Sequence, residues 1–170
     1  MTVLRRLDCV TEPTKDEVLD KYETLQEQGV QNVGPSLKRV SGQEVYNVSE
    51  YTFESLCNNP DQIAENLQHY INAYDEDTKE IFEKFDFGYQ IQRLDEADLL
   101  YKIVRNFAKI DLHPDEVPNE EMGHIYEVLV QKFNELSNET AGGHFTPREV
   151  IELMVNLIFD ETQHERPRHI

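Results

Sequence analysis

Tryptophan is absent, cysteine occurs twice, and bases are scarce: 16 lysines and arginines stand against 34 acids in 170 residues, a formal charge of −18. The shortage of bases excludes the most. Nucleic-acid-binding domains usually carry a basic stripe that displaces counterions from phosphates. Here the nearest approaches are two pairs, Arg5-Arg6 and Lys38-Arg39. Taken alone, the chain is a poor ligand for a polyanion and a good one for a basic protein surface. Cys9 and Cys57 lie far apart, which argues for a reduced cytoplasmic chain rather than a disulfide framework. No apolar run is long enough to cross a membrane, and the start, Met1 to Leu7, is too short and too charged for a signal peptide.

Catalytic motifs are missing as well. There is no His-Glu-x-x-His, no Cys-x-x-Cys, no Gly-x-Ser-x-Gly elbow, and no phosphate-binding glycine loop followed by lysine. The six histidines are scattered, and His164 and His169, separated by Pro167, do not share a helical turn, so no metal site is expected. The acids of Asp75-Glu76-Asp77 and Asp115-Glu116 stand where helix ends are expected, and carboxylates there stabilise exposed amides. No catalytic residue is assigned.

What is present is helical periodicity. Thr14-Lys15-Asp16-Glu17 has the form of a capping box, and Gly29 is a natural stop for the helix it opens. Residues 29 to 48 contain Gly29, Gly34-Pro35 and Gly42 and are expected to form an irregular connection with weak strand character at Val45 to Val48. Asn59-Pro60 predicts a cap followed by proline in the first turn, with Ile63, Leu67, Tyr70, Ile71 and Tyr74 on one apolar face. Asp77 to Glu80 reads as another capped start, leading to Ile81, Phe82 and Phe85. Asp95 is expected to open a helix burying Leu99, Leu100, Ile103, Val104, Phe107 and Ile110. After breaks at His113-Pro114 and Pro118, Asn119 is expected to cap a helix with Met122, Ile125, Tyr126, Leu129, Val130, Phe133 and Leu136 on one side. A final helix is expected from Pro147: Thr146 caps it, Glu149 completes a capping box, and Phe145 and Val150 form a staple. Capping explains those residues but leaves Gly142-Gly143 and His144 without a reason.

The segment Thr140-Ala141-Gly142-Gly143-His144-Phe145-Thr146-Pro147-Arg148-Glu149-Val150 resembles the start of the methyltransferase domain in the modification subunits of type I restriction-modification systems. Upstream text agrees. Leu4 to Val10 with Glu12 to Lys15 is similar to the family's N-terminal helical domain, as are Phe82 to Phe85, Ile110 to Pro114 and Glu121 to Glu127. The resemblance implies a DNA methyltransferase that moves a methyl group from S-adenosylmethionine to the exocyclic amine of adenine. It works with a specificity subunit that reads the sequence and a restriction subunit in the full complex, on double-stranded DNA and away from membranes. It also implies that Phe145, Thr146 and Pro147 line the methionine end of the cofactor. The family's glycine-rich cofactor motif and its Asn-Pro-Pro-aromatic motif are not in these residues, and the family usually has helices before the Val3-Leu4-Arg5-Arg6 segment, so the resemblance implies a fragment cut at both ends and inactive alone.

The resulting expectation is a mainly α chain. An N-terminal helical bundle covers residues 1–138, a linker with the start of the cofactor-wall motif covers 139–146, and 147–170 hold the first helix and tail of a truncated α/β methyltransferase domain. Its expected role is subunit assembly and DNA clamping, with Lys38 and Arg39 as the basic edge nearest the phosphates. The rival expectation is a helical protein-interaction adaptor without enzymatic connection.

Overall fold

In a computed structural model of the protein, the backbone is described over residues 1–136, 150–151 and 153–157. The fold is helical. Among the described residues there is no strand, only an isolated antiparallel bridge between Asn47 and Tyr74. In chain order come α1 (Thr2–Thr11), a 3-10 turn (Glu12–Thr14), α2 (Lys15–Glu27), α3 (Gly34–Ser41), α4 (Phe53–Leu56), a second 3-10 turn (Pro60–Gln62), α5 (Ile63–Asn72), α6 (Glu76–Lys84), α7 (Phe87–Glu96), α8 (Leu100–Ala108) and α9 (Asn119–Leu136). Two compact units divide at Pro118 and Asn119.

The first unit has two apolar centres. The larger is built on Leu4, Phe53, Leu56, Leu67, Tyr70, Leu100 and Val104, and draws on α1, α4, α5 and α8. The smaller packs α2 on α3 through Val18, Leu25 and Leu37. The 3.6-residue face expected on α5 is present: Ile63, Leu67, Tyr70 and Ile71 are buried, and Tyr74 just beyond it is buried too.

Several local expectations are corrected. Thr14 stands at the N-cap of α2, but its backbone (φ −110°, ψ 11°) lies outside the extended region and its side chain accepts no capping bond. The cause is the 3-10 turn running straight on from α1: the amide of Lys15 is already bonded to the carbonyl of Glu12, and Thr14 Oγ1 is left buried with no hydrogen-bond partner. The functioning box is at α4. There Thr52 Oγ1 accepts from the amide of Ser55 at 3.1 Å, and Ser55 Oγ accepts from the amide of Thr52 at 2.7 Å. Gly34-Pro35 does not break the chain but starts α3, with proline in the first turn where its missing N–H costs nothing. At Pro60 the proline also opens a turn, but Asn59 makes no capping bond to the backbone and its amide instead meets Gln62 Oε1 at 2.7 Å.

The cap of α6 is Asp75, two residues earlier than expected: its Oδ1 accepts from the amide of Thr78 at 3.1 Å and its Oδ2 from the Thr78 hydroxyl at 2.9 Å. Of the aromatic and aliphatic residues after it, Phe82 is buried while Ile81 and Phe85 face solvent. Asp95 opens nothing; it lies in the last turn of α7. That helix ends in a Schellman motif, with Leu99 N bonded to Leu94 O and Asp98 N to Asp95 O, both at 2.9 Å. Asp98 takes the left-handed conformation (φ 54°) that glycine normally supplies there. At the end of α2 the same motif uses Gly29 (φ 70°), with Val30 N on Leu25 O and Gly29 N on Gln26 O. α8 therefore begins at Leu100 and buries Leu100 and Val104, whereas Leu99 and Ile110 are exposed.

In the second unit, α9 begins at Asn119. Met122 is buried, while Tyr126, Leu129, Val130 and Phe133 are exposed rather than packed as a covered face. Residues 150–151 and 153–157 are helical and their apolar side chains are exposed. The expected cap at Thr146 and Pro147, the glycine pair and the linker at 139–146 lie outside the described residues.

Candidate functional site

The strongest chemical assembly in the first unit centres on Asp8, a carboxylate only 2 % exposed in the middle of α1. A buried carboxylate needs a partner for its charge and donors for its lone pairs, and Asp8 has both. Arg5, one turn earlier, donates to Oδ2 in an ion pair. On Oδ1 converge the Tyr70 hydroxyl at 2.7 Å and the amide of Phe53 at 3.3 Å. Since Tyr70 gives its proton to Asp8, its oxygen accepts from Tyr74, 2.7 Å away. Burial pushes both phenols up from their ordinary value, with the neighbouring Asp8 charge adding to the effect, so they remain neutral donors.

The network extends in both directions. Asn47 Nδ2 donates to the Tyr70 carbonyl at 3.0 Å, and its Oδ1 accepts from the amide of Ser49 at 2.7 Å. The ammonium of Lys15 donates to the Tyr51 carbonyl and lies 5.8 Å from the centre of the Tyr70 ring; burial lowers its pKa, against which Asp8 and then Glu12 act. One face of α1 thereby joins α4 and α5. The other holds the segment after α8. Arg5 Nε donates to the Ile110 carbonyl at 2.9 Å, Arg6 donates to the carbonyls of Leu112 at 2.6 Å and Val117 at 2.5 Å, and the amide of Leu112 donates to Cys9 Sγ at 3.4 Å. The chemistry of this hub is cohesion: its hydrogen bonds run to the protein's own backbone or between hub members.

That arrangement accounts for the first basic pair, since Arg5 and Arg6 are structural clasps. Lys38 and Arg39, in the last turn of α3, line a polar hollow of about 460 Å³ with Gly42, Gln43 and Glu44. Lys38 is held by two acids, with Asp77 at 3.7 Å and Glu44 at 3.8 Å, while Arg39 is exposed. A second hollow, about 470 Å³, runs between α5 and α7 past Ala64, Gln68, His69 and Gly88. The residues assigned to the cofactor wall, Phe145, Thr146 and Pro147, lie outside the described residues.

Among the described residues no group of three or more His, Cys, Asp or Glu could hold a metal. His69 meets Tyr51 edge-on at 5.8 Å, and His113 and His124 lie beside Asp115 and Glu127; His144, His164 and His169 are outside the described residues. No described helix is long and apolar enough to cross a membrane.

Sequence reasoning passes over Asp8, Tyr70 and Tyr74 as a set. A signal exists: two tyrosines four apart on an otherwise apolar face must place two hydroxyls in a core, and buried phenols require partners.

The hub joins the Leu4 to Lys15 segment to Ile110 to Pro114, two of the stretches that carry the resemblance. Family models give the same answer. The HsdM N-terminal domain model matches residues 1–107, and the N-6 DNA Methylase model matches residues 118–167. Neither a curated protein nor a solved structure matches the chain. The first model covers most of the chain and the second follows it in order, so this protein belongs to the modification subunits of type I restriction-modification systems.

Proposed function

We propose that this chain is the front part of a subunit that methylates the exocyclic amine of adenine in duplex DNA. On this reading its helical domain joins the catalytic domain to the specificity subunit and helps close the complex around DNA, with a restriction subunit as the further partner. The observation that carries the reading is the ordered pair of family matches, a helical N-terminal domain followed directly by an adenine methylase segment. A helical adaptor without enzymatic connection would have no reason to carry the second.

Two features support a scaffolding role for the first unit. Its buried polar groups form internal clasps around Asp8, which suits a rigid support. Its charge of −18 over the chain favours protein partners over phosphates. Methyl transfer is then the work of the domain that follows, with S-adenosylmethionine supplying the methyl group. Residues 1–170 alone are expected to be catalytically silent, because neither the glycine-rich cofactor motif nor the Asn-Pro-Pro-aromatic motif is among them. An extruded adenine would have nothing here to hold it.

Phe145, Thr146 and Pro147 are proposed to wall the cofactor's methionine end in the intact subunit. As a pure helix cap, Thr146→Ala would lower stability by about 0.5–2 kcal/mol and do nothing else. As a wall residue, Phe145 also supports the cofactor. Calorimetric titration of the intact subunit with S-adenosylmethionine should show weakened binding for Phe145→Ala, with the melting curve of the unliganded protein little changed. Unchanged cofactor affinity would reduce Phe145 to a packing residue of the cap.

A further inference from the structure

Lys102, Arg105 and Lys109 form a cationic ridge in a strongly acidic molecule. From Leu99 to Ile110 the sequence contains these three bases and no acid. At 3.6 residues per turn, positions 102, 105 and 109 fall on one side of α8, opposite buried Leu100 and Val104. All three are exposed, and Asn106 between them is exposed as well. Among the described residues none of the three is in an ion pair. By contrast Arg5, Lys38, Lys79 and Lys84 each have a carboxylate within 4.0 Å. The Arg105 guanidinium lies 6.0 Å from the centre of the Tyr101 ring, an interaction that steadies its plane and leaves its N–H edge available.

A plain structural role does not explain the ridge. Cations at a helix C-terminus are favoured by the helix dipole, which accounts for Arg105 and Lys109. Lys102 is the third residue of α8, at the positive end, where a lysine opposes that dipole.

We propose that this ridge seats on the phosphate backbone of duplex DNA, with Lys102, Arg105 and Lys109 each neutralising a phosphate and Asn106 available to bond one. This deepens the functional reading above and rests on it, and it moves the DNA-facing edge from α3 to α8. Lys38 is already engaged by Asp77 and Glu44. The ridge spans about 10.5 Å of helix axis at 1.5 Å per residue, roughly three base steps of ~3.4 Å. Such binding is independent of sequence, as phosphate recognition is.

The test uses the intact subunit assembled with its specificity subunit. Duplex affinity is measured across a salt series for the unaltered complex, for K102Q/R105Q/K109Q, for K102Q alone, and for K38Q/R39Q. The triple variant should flatten the plot of log affinity against log salt by about 0.9 for each phosphate no longer neutralised, K102Q by about one such step, and K38Q/R39Q by none. Circular dichroism and chromatographic mass should be unchanged for all. A slope that stays fixed in the triple variant overturns the proposal. So does release of the specificity subunit by the triple variant, which would make the ridge a seat for an acidic protein surface. If the unaltered complex neither binds duplex DNA nor methylates it, the functional reading itself falls; if it methylates while the slope ignores α8, only the ridge does.

Discussion

Replacing Asp8 with alanine should cost the helical domain about 3–5 kcal/mol, the range for removing one partner of a buried ion pair and stranding the other. The loss is large because several groups are orphaned together. The Arg5 guanidinium loses its close counterion and keeps only Glu12 at 4.0 Å, the Tyr70 hydroxyl loses its acceptor, and the amide of Phe53 loses its bond. A buried donor without an acceptor is costly in its own right. Asp8→Asn should be milder, since an amide oxygen can still accept from Tyr70 while Arg5 loses its close ion pair. Urea unfolding followed by far-ultraviolet circular dichroism would read the shift in midpoint. Domains of this size hold only about 5–15 kcal/mol in total, so the alanine variant should unfold at markedly lower urea. A loss below about 1 kcal/mol would mean that the hub is not what joins α1 to α4 and α5.

Phe53→Ala should be of similar size, about 3–5 kcal/mol, the usual range for truncating a buried phenylalanine. Phe53 is fully buried. It meets Tyr70 edge-on with ring centres 6.1 Å apart, and the Arg5 guanidinium lies 5.8 Å from its ring centre. It is also the first residue of α4, a single turn of four residues that depends on packing for its existence. Hydrogen exchange should show the α4 amides losing protection before those of α2, which belongs to the other apolar cluster. Because Arg5 and Tyr70 each touch both the Asp8 carboxylate and the Phe53 ring, the double variant should lose less than the sum of the single losses. Additive losses would contradict a shared hub, and a cost of under about 1.5 kcal/mol for Phe53→Ala would place the centre of the core elsewhere.

These two residues also show what can and cannot be read from the sequence. Apolar periodicity is a local signal, so the buried face of α5 is legible directly. Helix ends are less so, because a cap depends on backbone conformation as well as residue type. Thr14 has the right side chain and neighbours, but the turn before it runs on helically and the cap never forms. Asp98 closes α7 in a conformation that usually announces itself with glycine, so in sequence the end of α7 merges with the following helix and Asp95 looks like a start. α3 is hidden because Gly34-Pro35 signals a break as readily as a beginning. The hub is least legible of all: its members are 62 residues apart at Asp8 and Tyr70, and nothing local in α1 identifies the partner. The same non-locality governs the basic residues. In sequence Arg5-Arg6 and Lys38-Arg39 stand out because they are adjacent, while the spaced bases of α8 are passed over. Only three-dimensional packing shows which are committed to carbonyls and carboxylates and which remain exposed. The family, by contrast, is legible because its motifs are short contiguous strings.

A helical domain that serves an adenine-specific DNA methyltransferase can be tested by following the methyl group. The intact subunit, assembled with its specificity subunit, is incubated with duplex DNA and S-adenosylmethionine labelled on the methyl group, and the DNA is then digested to nucleosides. Label should appear on the exocyclic nitrogen of adenine with the assembled complex and not with residues 1–170 alone. Label on cytosine, or an assembled complex that binds cofactor and duplex yet leaves the DNA unlabelled, would contradict it.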